Sequence, residues 1–72
     1  MEYTIKKLAQ LSGVSTRTLR YYDEIELLKP SLVNSSGYCI YGSIEIAQIQ
    51  QILFYRSINM KLRVIHDLLQ TA

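Results

Sequence analysis

A mainly helical domain with one small β-hairpin is the fold that this chain of 72 residues predicts. Three observations point there. Apolar residues recur at helical spacing in four separate stretches, and a tight turn at Gly13 joins the first two. Between the second and third stretches, Asn34-Ser35-Ser36-Gly37 separates two short segments of β-type residues.

The first helix is expected from Ile5 to about Leu11, with Thr4 as its cap and Ile5, Leu8 and Ala9 at i, i+3, i+4 on one face. Ala9 is small enough for a second helix to cross close by, and Gly13 can take the positive φ that ends a helix without steric cost. Ser15 then caps a helix from Thr16 to about Glu24, because its hydroxyl can accept from the free N–H groups of the next turn. Val14, Leu19 and Tyr22 supply the apolar set that closes on the first helix. Two helices joined this tightly form a helix-turn-helix.

Leu27 and Leu28 return to the core, and Lys29-Pro30 ends the helical region, since proline disfavours a helical residue before it. Ser31 to Val33 and Tyr38 to Tyr41 make the hairpin. Tyr38 and Ile40 alternate with Cys39 and Tyr41, and Cys39 is expected on the side that leaves the core, where Cys39→Arg would add a phosphate contact. Ser43 caps a main core helix from Ile44 to about Ser57, along which Ile46, Ile49, Ile52, Leu53 and Tyr55 form the apolar face and Glu45 complements the dipole. Asn59 ends it with positive φ, and Met60 to about Leu69 forms the last helix, with Leu62, Ile65, Leu68 and Leu69 on one side.

Functional chemistry concentrates on the second helix. At about 100° per residue, Arg17, Arg20 and Tyr21 share an arc opposite Leu19, with Thr18 beside them. Guanidinium forks fit phosphate oxygens or the guanine edge, threonine offers a hydroxyl and a methyl, and tyrosine can reach a phosphate. Charged arcs are common on solvated helices, but the turn, the cap and the arginine pair together favour duplex DNA. A hairpin directly after such a helix is a wing. Ser35, Ser36 and Tyr38 suit contact with a phosphate backbone, whereas a hairpin that only covers the core edge is the competing reading, because no Lys or Arg lies between Pro30 and Tyr41. Lys6 and Lys7 at the first helix start, and Lys61 and Arg63 at the last, stand where the dipole disfavours cations, which nearby phosphates would explain and simple solvation equally well.

Composition narrows the classes. The chain is one domain over residues 1–72, too small for a large effector pocket, and its 49% hydrophobic and 19% charged residues are those of a folding chain. A net charge of +2 announces no polyanion partner, so any electrostatic footprint comes from placement. With one cysteine, Cys39, and one histidine, His66, at no ligand spacing, neither a disulfide nor a metal or other cofactor is expected. Paired carboxylates, a nucleophile–base set and a phosphate loop are all missing, so no enzyme is expected. No apolar run approaches membrane-spanning length, and a cytoplasmic location without membrane contact is expected.

The runs GVSTRTLRYYDEIELLKP, SGYCIY and QQILFYRSINMKLRVIHDLL, in this order, resemble the N-terminal DNA-binding domain of MerR-family transcription regulators over nearly the whole chain. The resemblance implies a winged helix-turn-helix whose last helical pair acts as a second wing. It implies a homodimer on a pseudo-palindromic promoter operator, distorting the DNA and so acting indirectly on RNA polymerase. It places Thr16, Arg17, Thr18, Arg20 and Tyr21 on DNA, Tyr22 at their edge, Tyr38 and Tyr41 on the wing, and Lys61 or Arg63 on the last helix. The long dimerising helix and effector domain of the family are expected to lie outside this chain. Cys39 and Leu32 stand where the family's wings commonly carry arginine, and Glu26 and Asn59 replace frequent glycines. Two alternatives remain at this point: a small architectural, excisionase-like DNA-binding protein, and a winged-helix protein-interaction module.

Overall fold

The computed structural model describes residues 2–70. The elements follow in the order β1 (Tyr3–Thr4), α1 (Ile5–Ser12), α2 (Thr16–Glu24), β2 (Leu32–Val33), β3 (Cys39–Tyr41), α3 (Ser43–Ser57) and α4 (Leu62–Gln70). Both expected caps of the helix-turn-helix are present. Thr4 Oγ1 accepts from the Lys7 amide at 3.2 Å, and Ser15 Oγ accepts from the Thr18 amide at 3.1 Å.

One device ends three helices. Gly13, Glu26 and Asn59 take left-handed φ values of 75°, 59° and 64°. After each, an amide returns five residues: Val14 to the Ala9 carbonyl at 3.2 Å, Leu27 to Tyr22 at 2.8 Å, and Met60 to Tyr55 at 3.0 Å. These bonds satisfy carbonyls that the helix itself leaves open. The third also explains why α4 starts at Leu62 rather than Met60: Met60 is still committed to closing α3, and its own carbonyl accepts from Arg56 Nη1 at 2.7 Å. Only the first of these left-handed residues is a glycine. Glu26 carries a Cβ in a region that disfavours it, and its side-chain partner is an exposed lysine, Lys29, at 4.0 Å. Glu26→Gly is therefore expected to stabilise the domain by about 0.5–1 kcal/mol, after allowing for the greater unfolded entropy of glycine. Thermal unfolding should report a Tm higher by about 2–8 °C, and an unchanged or lower Tm would contradict this account.

The start of α3 differs by one residue from expectation. Ser43 is its first residue and Gly42 the cap; the Glu45 carboxylate accepts from the Gly42 amide at 2.7 Å, a specific bond rather than a general dipole effect.

The hairpin is part of a three-stranded antiparallel sheet of order β1-β3-β2. Tyr3 pairs with Tyr41 and Thr4 with Ile40 on one side, while Leu32 pairs with Ile40 and Val33 with Cys39 on the other. At the hairpin tip, Asn34 Oδ1 accepts from the Ser36 and Tyr38 amides, each at 3.0 Å, and Gly37 has a φ of 84°. This register turns Tyr41 and Cys39 toward the helices and Tyr38 away from them. Cys39 is half-buried against the core, contrary to the outward position expected from alternation. The two-residue period was right and the side was wrong, because β1 supplies Tyr3 as the neighbour that fixes which face is covered. An arginine at Cys39 would press its charge against the core instead of reaching solvent.

The core joins Leu8 and Ala9 of α1, Leu19 and Tyr22 of α2, Leu27 and Leu28, Tyr41 of β3, Ile49 and Ile52 of α3 and Ile65 of α4. Among the described residues it holds no buried polar or charged residue apart from the tyrosine hydroxyls. Tyr55, Leu53 and Ile46 border it, as does Leu62, whereas Leu68 is 43% exposed and lies outside the apolar stripe proposed for α4.

Candidate nucleic-acid interface

The interface is built outward from Leu19. That side chain is fully buried and Tyr22 nearly so, which fixes the rotation of α2 about its axis and leaves Arg17, Arg20 and Tyr21 exposed on the opposite side. The helix is held at its start by Ser15, whose hydroxyl also lies 3.0 Å from Thr18 Oγ1. Thr18 is thus partly engaged at the cap, and both Thr16 and Thr18 are half-buried. At the other end, Asp23 meets Lys29 Nζ at 3.4 Å, an exposed pair that keeps the acidic end of α2 occupied away from the arginines.

Two tyrosines expected at the interface lie in the core. Tyr41 is 1% exposed and Tyr22 6%, so their rings cannot meet a DNA strand while the domain is folded. The physical reason is the same in both cases: each faces the packed side of its element, Tyr41 with Cys39 on the covered face of the sheet and Tyr22 one turn after Leu19. Burial, with smaller contributions from Cys39 and Asp23 and against Arg20, pushes the Tyr41 phenol up to about 12. Tyr22 is also raised, by burial, against a nearby Arg56. Both therefore remain neutral phenols at physiological pH. Tyr41 shares the buried core with Leu19 and Tyr22, so it supports the exposed arc from within.

The wing itself is open. Tyr38 is 65% exposed, Val33 60% and Leu32 47%, and Ser35 and Ser36 are exposed at the tip. What it presents is apolar surface and hydroxyls without a cation. Lys6 and Lys7 are exposed in the first turn of α1, which contains no acidic residue to compensate the dipole. Lys61 and Arg63 are exposed at the start of α4.

The fold brings one pair of these residues together across the chain. Tyr21 of α2 and Arg63 of α4 line a common cleft of about 310 Å³ with Ile25, Leu62 and His66. His66 was not among the residues expected at the interface. Its position one turn after Leu62 and Arg63 is visible in the sequence, but only the cleft shared by α2 and α4 shows that Tyr21 lines the same space.

A family model described as MerR HTH family regulatory protein matches residues 3–72. The chain is 45% identical over 69 residues to the HTH-type transcriptional activator mta of Bacillus subtilis, covering 96% of this chain and 27% of that protein. It thus spans about a quarter of the length of that relative. A MerR-family transcriptional regulator from Bacillus cereus superposes with a TM-score of 0.94 at 31% identity, over 97% of this chain and 52% of that one. HiNmlR, a MerR-family regulator lacking the sensor domain and bound to promoter DNA in its crystal structure, superposes with a TM-score of 0.85 at 26% identity, over 94% of this chain and 54% of that one.

Proposed function

Because this chain belongs to the MerR HTH regulatory family, we propose that it contacts promoter DNA with the exposed arc of α2, Arg17, Arg20 and Tyr21, flanked by Thr16 and Thr18. The domain is the DNA-binding domain of a MerR-type transcription regulator. The observation that carries the assignment of contacts is the rotation of α2: burying Leu19 and Tyr22 leaves two guanidinium groups and a phenol facing solvent on a helix that follows a tight, capped turn. The resemblance to a regulator bound to promoter DNA supports DNA as the partner.

Lys6, Lys7, Lys61 and Arg63 add phosphate contacts on either side, and Tyr38 supplies the wing contact through its hydroxyl and ring. Tyr22 and Tyr41 hold these groups in place from the core. In this reading the whole regulator acts as a homodimer on a pseudo-palindromic operator in the cytoplasm and influences RNA polymerase through the DNA. Symmetric half-sites offer a way to join two such small contact surfaces. Among the described residues no helix is long and apolar enough to cross a membrane.

The test is a salt titration of the domain on fluorescently labelled duplex DNA, read by anisotropy. Non-specific binding is expected at a Kd of about 10⁻⁴ to 10⁻⁶ M at physiological salt. The six cations proposed as contacts (Lys6, Lys7, Arg17, Arg20, Lys61 and Arg63) limit the logarithmic salt slope to a magnitude of about 5, at about 0.9 per neutralised phosphate. Absence of binding even at low salt would overturn the reading and favour a module that binds protein.

A further inference from the structure

His66 is the single histidine of the chain. It is half-buried on α4, and the cleft it lines is shared with Arg63 of its own helix and Tyr21 of α2, while Ile25 and Leu62 give the cleft apolar walls. Three different hydrogen-bond donors thus gather at one place: a guanidinium, a phenol and an imidazole. The charged and titratable groups facing His66 are Arg63 and Asp67 on α4 and Tyr21 on α2; Asp67 Oδ1 lies 3.9 Å from Nδ1. Nε2 makes no hydrogen bond among the described residues. One carboxylate and one guanidinium of its own helix thus border the imidazole.

We infer that this cleft takes one phosphate of the DNA backbone between α2 and α4, and that His66 binds it as the imidazolium, so that DNA association takes up a proton. The inference rests on the proposed DNA-binding face and adds a dependence on pH that Arg17, Arg20 and the lysines cannot supply, because they stay charged throughout the range in which histidine changes charge.

Because the chain has one histidine, its imidazole ring protons can be followed by NMR without ambiguity, in the free domain and with a 20-base-pair duplex at low salt. On DNA the titration midpoint is expected to move up by about half a pH unit or more, so that affinity at pH 5.5 exceeds that at pH 7.5 by about threefold or more. The logarithmic salt slope should be steeper at pH 5.5, by up to about 0.9. His66→Gln should lose both differences between the two pH values. If DNA binds and the midpoint stays where it is, the inference fails and the DNA-binding reading stands. If no DNA binds under any condition, both fail. Should His66→Gln not fold, the midpoint of the unmodified domain still decides.

Discussion

Leu19→Ala is expected to lower the stability of the domain by roughly 2–5 kcal/mol, the range for truncating a fully buried leucine. For 72 residues at about 0.05–0.15 kcal/mol each, total stability is about 4–11 kcal/mol, so the substitution consumes a large share of it. Circular dichroism at 222 nm should show a Tm lower by about 8 °C or more, at about 4–8 °C per kcal/mol. DNA binding should fall along with folded fraction, for all sequences alike. A Tm within a few degrees of the parent would mean that α2 is not rotated as described, and the identification of the exposed arc would go with it.

The second large effect separates two arginines on the same face. If Arg17 reads a base edge, Arg17→Ala should cost roughly 1–3 kcal/mol on a matched site, about 5- to 150-fold in affinity, and much less on a scrambled one. Arg20 is exposed on the same face one turn further along α2, where a guanidinium can hold the backbone. Arg20→Ala should therefore weaken both duplexes by a similar factor and reduce the salt slope by about 0.9. An operator selected from a random duplex pool, with its scrambled counterpart, provides the comparison. Retention of parental affinity by both variants would remove α2 from the interface.

The helix-turn-helix was fully legible because its signals are local. Thr4, Ala9, Gly13 and Ser15 each act within four residues of their own position, and all four do what their chemistry predicts. The left-handed turn at Asn59 was also readable. The boundary at Met60 was not, since helical spacing cannot show that its amide is committed to Tyr55. Spacing also cannot show that the extended lead-in at Tyr3 pairs as β1 with β3, 38 positions away. That omission propagated to the site. Without that pairing the covered face of the hairpin is undetermined, so alternation puts Cys39 outward, and nothing in the sequence opposes the contact that the resemblance gives Tyr41. The cleft uniting Tyr21, Arg63 and His66 was illegible for the same reason: it joins residues distant in sequence.

The same pairing of Tyr3 with Tyr41 sets an order on how the chain folds. Val33 and Cys39 are 6 positions apart, whereas Tyr3 and Tyr41 are 38 apart. Closing the longer loop costs about 1.6 kcal/mol more in chain entropy, from the logarithmic dependence on loop length. Hairpin and helix-turn-helix can each form from short-range contacts, but the strand that joins them must wait until both are in place to dock against. The amides of β1 are then expected to exchange through an opening that leaves the α1–α2 unit intact, so the element that decides which way the wing faces is also among the first to let go.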